Sequence, residues 1–262
     1  MRPRKIFFVK QTASKIRIDK LLFERGLVPS RERAQALILA GKVLVDGEKI
    51  EKAGTAVDSA SDIRLLGEEL KYVSRGGLKL ERAIEHWSID LPGRVCLDVG
   101  ASTGGFTDCL LQHGAARVIA IDTGQGQIAF RLRQNPRVRL LEKTNARYLT
   151  REQMGEAGSF IAIDVSFISA TLVLPAVTAA AFPEQRAGWT GHQLVILVKP
   201  QFEVGRERVG KGGIVRDVSA QQEAVEKVKV SVEQLRPGLI EVIESPILGA
   251  KGNREFLLYG KF

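Results

Sequence analysis

Arg94-Val95-Cys96-Leu97-Asp98-Val99-Gly100-Ala101-Ser102-Thr103-Gly104-Gly105-Phe106 decides how the larger part of this chain is read. It begins as a short apolar run that suits a buried strand, then passes through a turn of small residues into a helical pattern. Glycines in such a turn let the backbone approach a ligand closely, and the helix start behind it presents free N–H groups. The turn is not a phosphate-binding loop, because no Gly-Lys-Ser/Thr follows. Nor is it a good dinucleotide fingerprint, since Ser102 stands where the second glycine belongs. Asp98, directly before the turn, would repel a pyrophosphate and suits a ligand that carries a cationic amino group and a sulfonium.

Downstream of this stretch, apolar runs alternate with helical ones. Residues 95–99, 118–121, 138–141, 160–163, 194–198, 240–243 and 256–259 read as strands, and a helix over 78–87 precedes the first. The alternation predicts an α/β fold, a Rossmann-like, parallel, doubly wound sheet that binds its ligand at the carboxyl ends of its strands. Ile119-Ala120-Ile121-Asp122 places an acid where it can accept hydrogen bonds from a ribose diol. Thr144-Asn145-Ala146 follows the third strand, where an adenine would lie.

Upstream the pattern differs. Ile18, Leu21 and Leu22 have helical spacing, and Gly26 stops that helix. Ser30 is a candidate N-cap for a second helix with Ala34, Leu37 and Ile38 on one face. Val43, Val45, Asp46-Gly47 and Ile50 spell a tight hairpin. Residues 1–66 are therefore expected to form a small α/β unit that begins with a basic arm. Residues 67–77 read as a connector and 78–262 as the larger domain.

The chain of 262 residues has a net charge of +9, which favours a polyanionic partner. No run approaches the roughly 20 apolar residues of a spanning helix. The longest apolar stretch, 170–182, is interrupted by Thr171, Pro175 and Thr178, and only 6–9 is apolar after the basic start. A cytoplasmic protein with no membrane role is expected. Cys96 and Cys109 have no disulfide or zinc spacing, and His86, His113 and His192 are scattered, so no metal is expected.

The basic residues of the first unit are dense: Arg17 and Lys20 on the first helix, Arg31 and Arg33 at the start of the second, then Lys42. Arginine at a helix start suits phosphate. Arg17-Ile18-Asp19-Lys20-Leu21-Leu22, Ser30-Arg31-Glu32-Arg33-Ala34 and Gly41-Lys42-Val43-Leu44-Val45-Asp46-Gly47, in that order, resemble the S-four-type RNA-binding domain. In the larger domain, Asp98, Gly100, Asp122 and Asn145 on successive strand ends resemble the S-adenosyl-L-methionine site of Rossmann-type methyltransferases. The resemblance implies cofactor contacts from these residues and from Ser102, Thr103, Gly104, Gly105, Phe106 and Asp164.

Four more residues bear on the reaction. Lys79 lies in the helix before the sheet, Asp164 and Lys199 end the fourth and fifth strands, and Glu255 begins the last. Their order resembles the tetrad of FtsJ-type ribose 2′-O-methyltransferases. With the Val73-Ser74-Arg75-Gly76-Gly77 lead-in and Lys211-Gly212-Gly213-Ile214-Val215-Arg216, nearly the whole chain resembles the TlyA (hemolysin A-like) rRNA methyltransferases. One departure is Leu70-Lys71-Tyr72-Val73, where some members carry a tryptophan. The resemblance implies a seven-stranded methyltransferase sheet and catalysis by Lys79, Asp164, Lys199 and Glu255. It implies methylation of a cytidine ribose in 23S rRNA, with some members also modifying 16S rRNA. The expected partners are rRNA or ribosomal subunits, and the expected state is a monomer. Arg75 joins the RNA-contact set. So do Arg206, Arg208, Lys211 and Arg216, on a loop whose glycines (Gly205, Gly210, Gly212, Gly213) suggest a mobile lid.

The chemistry asks for such a tetrad. A ribose hydroxyl is a poor nucleophile until it is oriented and its proton accepted. Lysine can accept it only with a pKa well below about 10.4; Lys79 and the sulfonium are expected to depress Lys199, and Asp164 and Glu255 to fix the lysines and accept hydrogen bonds. Three other classes are separable on the residues. A pseudouridine synthase can carry the first unit but does not need Asp98 and Asp122 around a Rossmann turn. A non-catalytic RNA-binding protein does not need the tetrad. Membrane lysis, which the hemolysin name suggests, needs an insertable segment.

Overall fold

The computed structural model describes residues 15–28, 30–66, 71–183, 186–249 and 252–262. The expected basic arm falls, up to residue 14, outside the described residues. The chain divides into two compact units, Met1–Glu69 and Leu70–Phe262.

In the first unit, β1 (Lys15–Arg17) runs directly into α1 (Ile18–Glu24), and α2 (Arg31–Leu39) follows. Ser30 caps α2 by accepting a hydrogen bond from the Arg33 N–H at 3.2 Å. β2 (Val43–Val45) and β3 (Glu48–Ile50) form the expected hairpin. Asp46 and Gly47 turn it at φ 52° and 86°, the paired positive values of a tight hairpin turn. β4 (Ala56–Asp58) pairs antiparallel with β1, and β5 (Ile63–Leu65) pairs antiparallel with β2. Ile18, Leu22, Ala34, Ile38 and Val43 are fully buried at the centre of this unit.

The second unit opens with α3 (Gly76–His86), then β6 (Val95–Val99), α4 (Gly105–Gln112), β7 (Arg117–Ile121), α5 (Phe130–Arg133) and β8 (Val138–Leu141). It continues with α6 (Arg151–Met154), β9 (Phe160–Ile163), α7 (Ala170–Ala181), β10 (Gln193–Val198), α8 (Pro200–Glu203), α9 (Val218–Glu233), β11 (Leu239–Glu244) and β12 (Phe256–Lys261). One seven-stranded sheet has the order β11-β12-β10-β9-β6-β7-β8. Alternate strand residues feed opposite layers. Cys96, Val118, Ala120, Phe160 and Ala162 pack with α3 and α4. Leu97, Val99, Ile119, Ile161 and Ile163 pack with α7 and α9. Burial on both faces explains why these strands read as continuous apolar runs.

The expectation of a parallel sheet is corrected at one strand. β12 is antiparallel to both β10 and β11. The earlier strands are joined by helical crossovers, whereas between β11 and β12 no α-helix occurs among the described residues, and the two strands pair as antiparallel neighbours. The consequence is functional. Phe256, the first residue of β12, pairs with Val198, the last of β10, so the start of β12 lies at the carboxyl edge of the parallel strands.

The expected connector 67–77 is also revised along its described part. Lys71 to Gly77 belong to the second unit. Tyr72 is 1% exposed. Its hydroxyl donates to Glu81 at 2.7 Å, and its ring fills the space a Cβ on Gly77 would need, 2.3 Å away. Among the described residues no helix is long and apolar enough to cross a membrane.

Tyr72→Ala should destabilise the second unit by about 3–5 kcal/mol, the usual cost of emptying a buried aromatic site. Both tryptophans, Trp87 and Trp189, lie in that unit, so denaturant unfolding followed by their fluorescence measures it. An unchanged midpoint would return these residues to the status of a connector.

Candidate active site

The sheet reverses its order where β6 meets β9, and the crevice outside their carboxyl ends is where doubly wound folds bind ligands. Gly100 follows β6 at φ 92°, and a Cβ there would lie 2.3 Å from the Asp164 carbonyl oxygen, so the turn requires glycine. Ser102 is also left-handed, at φ 49°. Its N–H donates to Asp122 Oδ2 at 2.8 Å, and the Gly124 N–H donates to Asp122 Oδ1 at 2.7 Å. These bonds fix the carboxylate at the end of β7.

Asp98 is fully buried inside β6. Its Oδ2 accepts from the Thr107 hydroxyl at 2.6 Å, while Oδ1 is buried with no hydrogen-bond partner among the described residues. Burial pushes its pKa up to about 7, against the Thr107 bond.

A cavity of about 400 Å³ opens at this edge. Gly100, Ser102, Thr103, Gly105 and Phe106 line one side of it, together with Arg75 and Lys79, and Asp164 and Gly249 also contribute. Six residues expected in the site do not line the cavity: Asp98, Gly104, Asp122, Asn145, Lys199 and Glu255. Asn145 is exposed and caps a short 3-10 turn, accepting from the Arg147 N–H at 3.0 Å. Gly104 is buried at the start of α4, at φ 96°.

Two separate ion pairs make up the tetrad. Lys79 Nζ donates to Glu255 Oε2 at 2.5 Å, and both side chains are buried. Lys199 Nζ lies 2.5 Å from Asp164 Oδ1 and donates to Ser166 Oγ at 2.9 Å. Each pair presents one member to the cavity, Lys79 and Asp164, with its partner outside the cavity wall. Each lysine thus has its own carboxylate.

Some residues beside the candidate functional groups were not singled out in the sequence. Phe167 is 92% exposed at φ 66°, and its ring centroid is 5.3 Å from that of Phe202. Each aromatic stands three residues past a strand-end charge, Asp164 or Lys199, and that shared spacing was the available signal. In the first unit the missed residue is Asp19. Its carboxylate is 0% exposed, yet it accepts bonds from Arg17, Arg31 and Gln35 at 3.0–3.1 Å. The Arg17 guanidinium holds this carboxyl far below the usual carboxylate range, against the effect of burial.

The remaining expected RNA contacts divide. Lys20 lies 3.3 Å from Glu24 one turn along α1, while Arg33 and Lys42 are exposed. Arg206, Lys211 and Arg216 are exposed as well. Arg208 is bound instead to Asp217, at 2.7 Å, and to Glu223. The glycine-rich loop is tied down near its end. Buried Asn253 donates to the Gly213 carbonyl at 2.8 Å and accepts from the Val215 N–H at 3.0 Å.

Comparison with known proteins agrees with this architecture. The FtsJ-like methyltransferase family matches residues 72–262, and the S4 domain matches 16–63. The chain is 44% identical over 248 residues to the 16S/23S rRNA (cytidine-2′-O)-methyltransferase TlyA of Mycobacterium tuberculosis, covering 94% of this chain and 90% of the relative. It is 39% identical over 247 residues to Hemolysin A of Brachyspira hyodysenteriae, covering 93% and 99%. The solved structure of a hemolysin-named protein from Streptococcus thermophilus matches with a TM-score of 0.70 and 41% identity, over 95% of this chain and 89% of that one. An S4 domain followed by an FtsJ-like methyltransferase domain, similar along nearly the whole chain to these relatives, places this protein in the TlyA (hemolysin A-like) methyltransferase family.

Proposed function

We propose that the protein transfers a methyl group from S-adenosylmethionine to the 2′-hydroxyl of a cytidine in 23S rRNA, and in 16S rRNA as well, acting in the cytoplasm. The observation that carries this reading is the pair of lysine–carboxylate ion pairs at one edge of the sheet, each contributing a residue to the cavity. The name of the Mycobacterium tuberculosis relative, a 16S/23S rRNA cytidine-2′-O-methyltransferase, supports the substrate.

The residues fit the cofactor. Asp98 keeps one buried oxygen free, and a turn that requires glycine forms part of the cavity wall. Gly100, Ser102, Thr103, Gly105 and Phe106 would hold the cofactor against the turn, with Asp122 on its ribose. When bound, S-adenosylmethionine supplies an electrophilic methyl on a sulfonium. The chain's own residues do the rest. Asp164 and Ser166 hold Lys199 Nζ at a fixed place. Lys199 Nζ, beside Asp164 and just outside the cavity wall, would take the proton of the ribose hydroxyl as the neutral amine, while the oxygen gains the methyl and the sulfonium leaves as a thioether. Glu255 holds Lys79 at the cavity wall, where the lysine steers the hydroxyl. Phe167 offers an exposed face on which the target base, swung out of its stack, can lie. The first unit supplies RNA affinity, with Arg17 and Arg31 held on Asp19 for backbone phosphates.

Lys199→Ala should lower single-turnover methyl transfer by about 10²-fold or more, the scale of a lost general base, with cofactor affinity nearly unchanged. Lys199→Arg should fail as well, because guanidinium stays protonated. Quenched-flow transfer of labelled methyl to unmodified ribosomal subunits measures both. An active Lys199→Arg enzyme would recast this residue as a fixed cation.

Phe167→Ala should raise the KM for RNA while leaving cofactor affinity and Tm unchanged, since an exposed ring contributes little to folding. Steady-state kinetics with the same subunits tests this, and a wild-type KM removes the ring from substrate binding.

Asp98 makes a pH prediction. Its folded pKa, about 7, lies above the ordinary aspartate value of about 4. Between these values the folded protein keeps a proton that the unfolded chain has lost, so this group lowers stability as pH rises through the window, levelling above 7. Asp98→Asn removes that slope. The variant's Tm relative to wild type, both without cofactor, should therefore increase from pH 5 to pH 8, and parallel Tm curves would contradict the assignment.

A further inference from the structure

The ladder between β9 and β10 ends at Ile163 and Ile196, before it reaches Asp164 or Lys199. Beyond that point no strand pairing holds the loop that carries Asp164, Ser166 and Phe167 in register with the segment that carries Lys199 and Phe202. Glu203 joins the two. It lies at the end of α8 and is 6% exposed. Its Oε1 accepts from the Ala170 N–H at 2.7 Å, and its Oε2 accepts from the Ser169 hydroxyl. Lys227 on α9 lies 3.6 Å from the same carboxylate and donates to the Glu203 carbonyl at 2.7 Å.

This is more than a helix cap requires. Ser169 already caps α7 by accepting from the Thr171 N–H. A buried carboxylate is costly unless its bonds are satisfied, and burial raises the Glu203 pKa in spite of those bonds. The bonds that satisfy it come from the residues that close the Asp164 loop, and the carboxylate itself ends the helix that opens at Lys199.

We propose that Glu203 is a positioning residue for methyl transfer: by binding Ser169 and Ala170 it sets where Lys199 stands relative to Asp164 and where Phe202 stands relative to Phe167. The inference rests on the methyltransferase reading above and adds a residue that touches neither cofactor nor ribose. Misplacing a reacting group by about 1 Å can cost 10²-fold in rate, so a distant tie of this kind has a large kinetic effect.

The test compares Glu203→Ala and Glu203→Gln with wild type in the full chain, using labelled S-adenosylmethionine and unmethylated large ribosomal subunits. Single-turnover rates are normalised to cofactor-binding sites counted by calorimetry. Glu203→Ala should lose about 10²-fold in rate at unchanged cofactor affinity. Glu203→Gln keeps an acceptor for the Ala170 N–H and an amide for Ser169, so it should recover most of the rate. A Glu203→Ala rate equal to wild type overturns the proposal. So does a loss matched by weaker cofactor binding, or a Glu203→Gln enzyme no better than Glu203→Ala at equal folded fraction. Failure of the underlying reading looks different, because wild type itself would then transfer no label.

Discussion

Where β6 and β9 end side by side, the Gly100 backbone passes so near the Asp164 carbonyl oxygen that a Cβ would lie 2.3 Å from it. This close approach joins the two halves of the site. One strand end begins the glycine turn that lines the cavity, and the other begins the loop whose Asp164 and Ser166 hold Lys199. A side chain at position 100 would push them apart. In the methyl-transfer reading proposed above, in-line geometry depends on that separation, so a steric constraint with no chemistry of its own would set it.

The second constraint is the direction of β12. Because it runs antiparallel, it presents its first residues, not its last, at the carboxyl edge of the sheet, and Glu255 comes within reach of Lys79 on α3. Both charges are buried, and a buried pair gains little net stability because desolvation offsets the attraction. What the pair provides is place: each charge is costly to move away from the other. Lys199 and Asp164 follow the same logic across neighbouring parallel strands.

Asp19 repeats the device outside the methyltransferase domain. A carboxylate with no exposed surface holds two half-exposed arginines and so restricts their side-chain freedom. With a net charge of +9, such fixed guanidinium groups suit the RNA contact proposed above.

Much of this was legible in the chain itself. The strands of the second unit could be placed because burial on both faces leaves apolar runs bounded by polar turns, and the four charges proposed as the tetrad could be picked out at their ends. The hairpin at Asp46-Gly47 could be read because few residues accept positive φ. Local chemistry, in short, is written locally. Tertiary structure alone decided the pairings: Lys79 with Glu255 and Lys199 with Asp164, the capture of Tyr72 by the second unit, the Phe167–Phe202 contact and the tie through Glu203. Lys79 and Glu255 are 176 residues apart, and nothing near either one specifies the other. Their meeting depends on the direction in which the last strand enters the sheet, antiparallel to both of its neighbours.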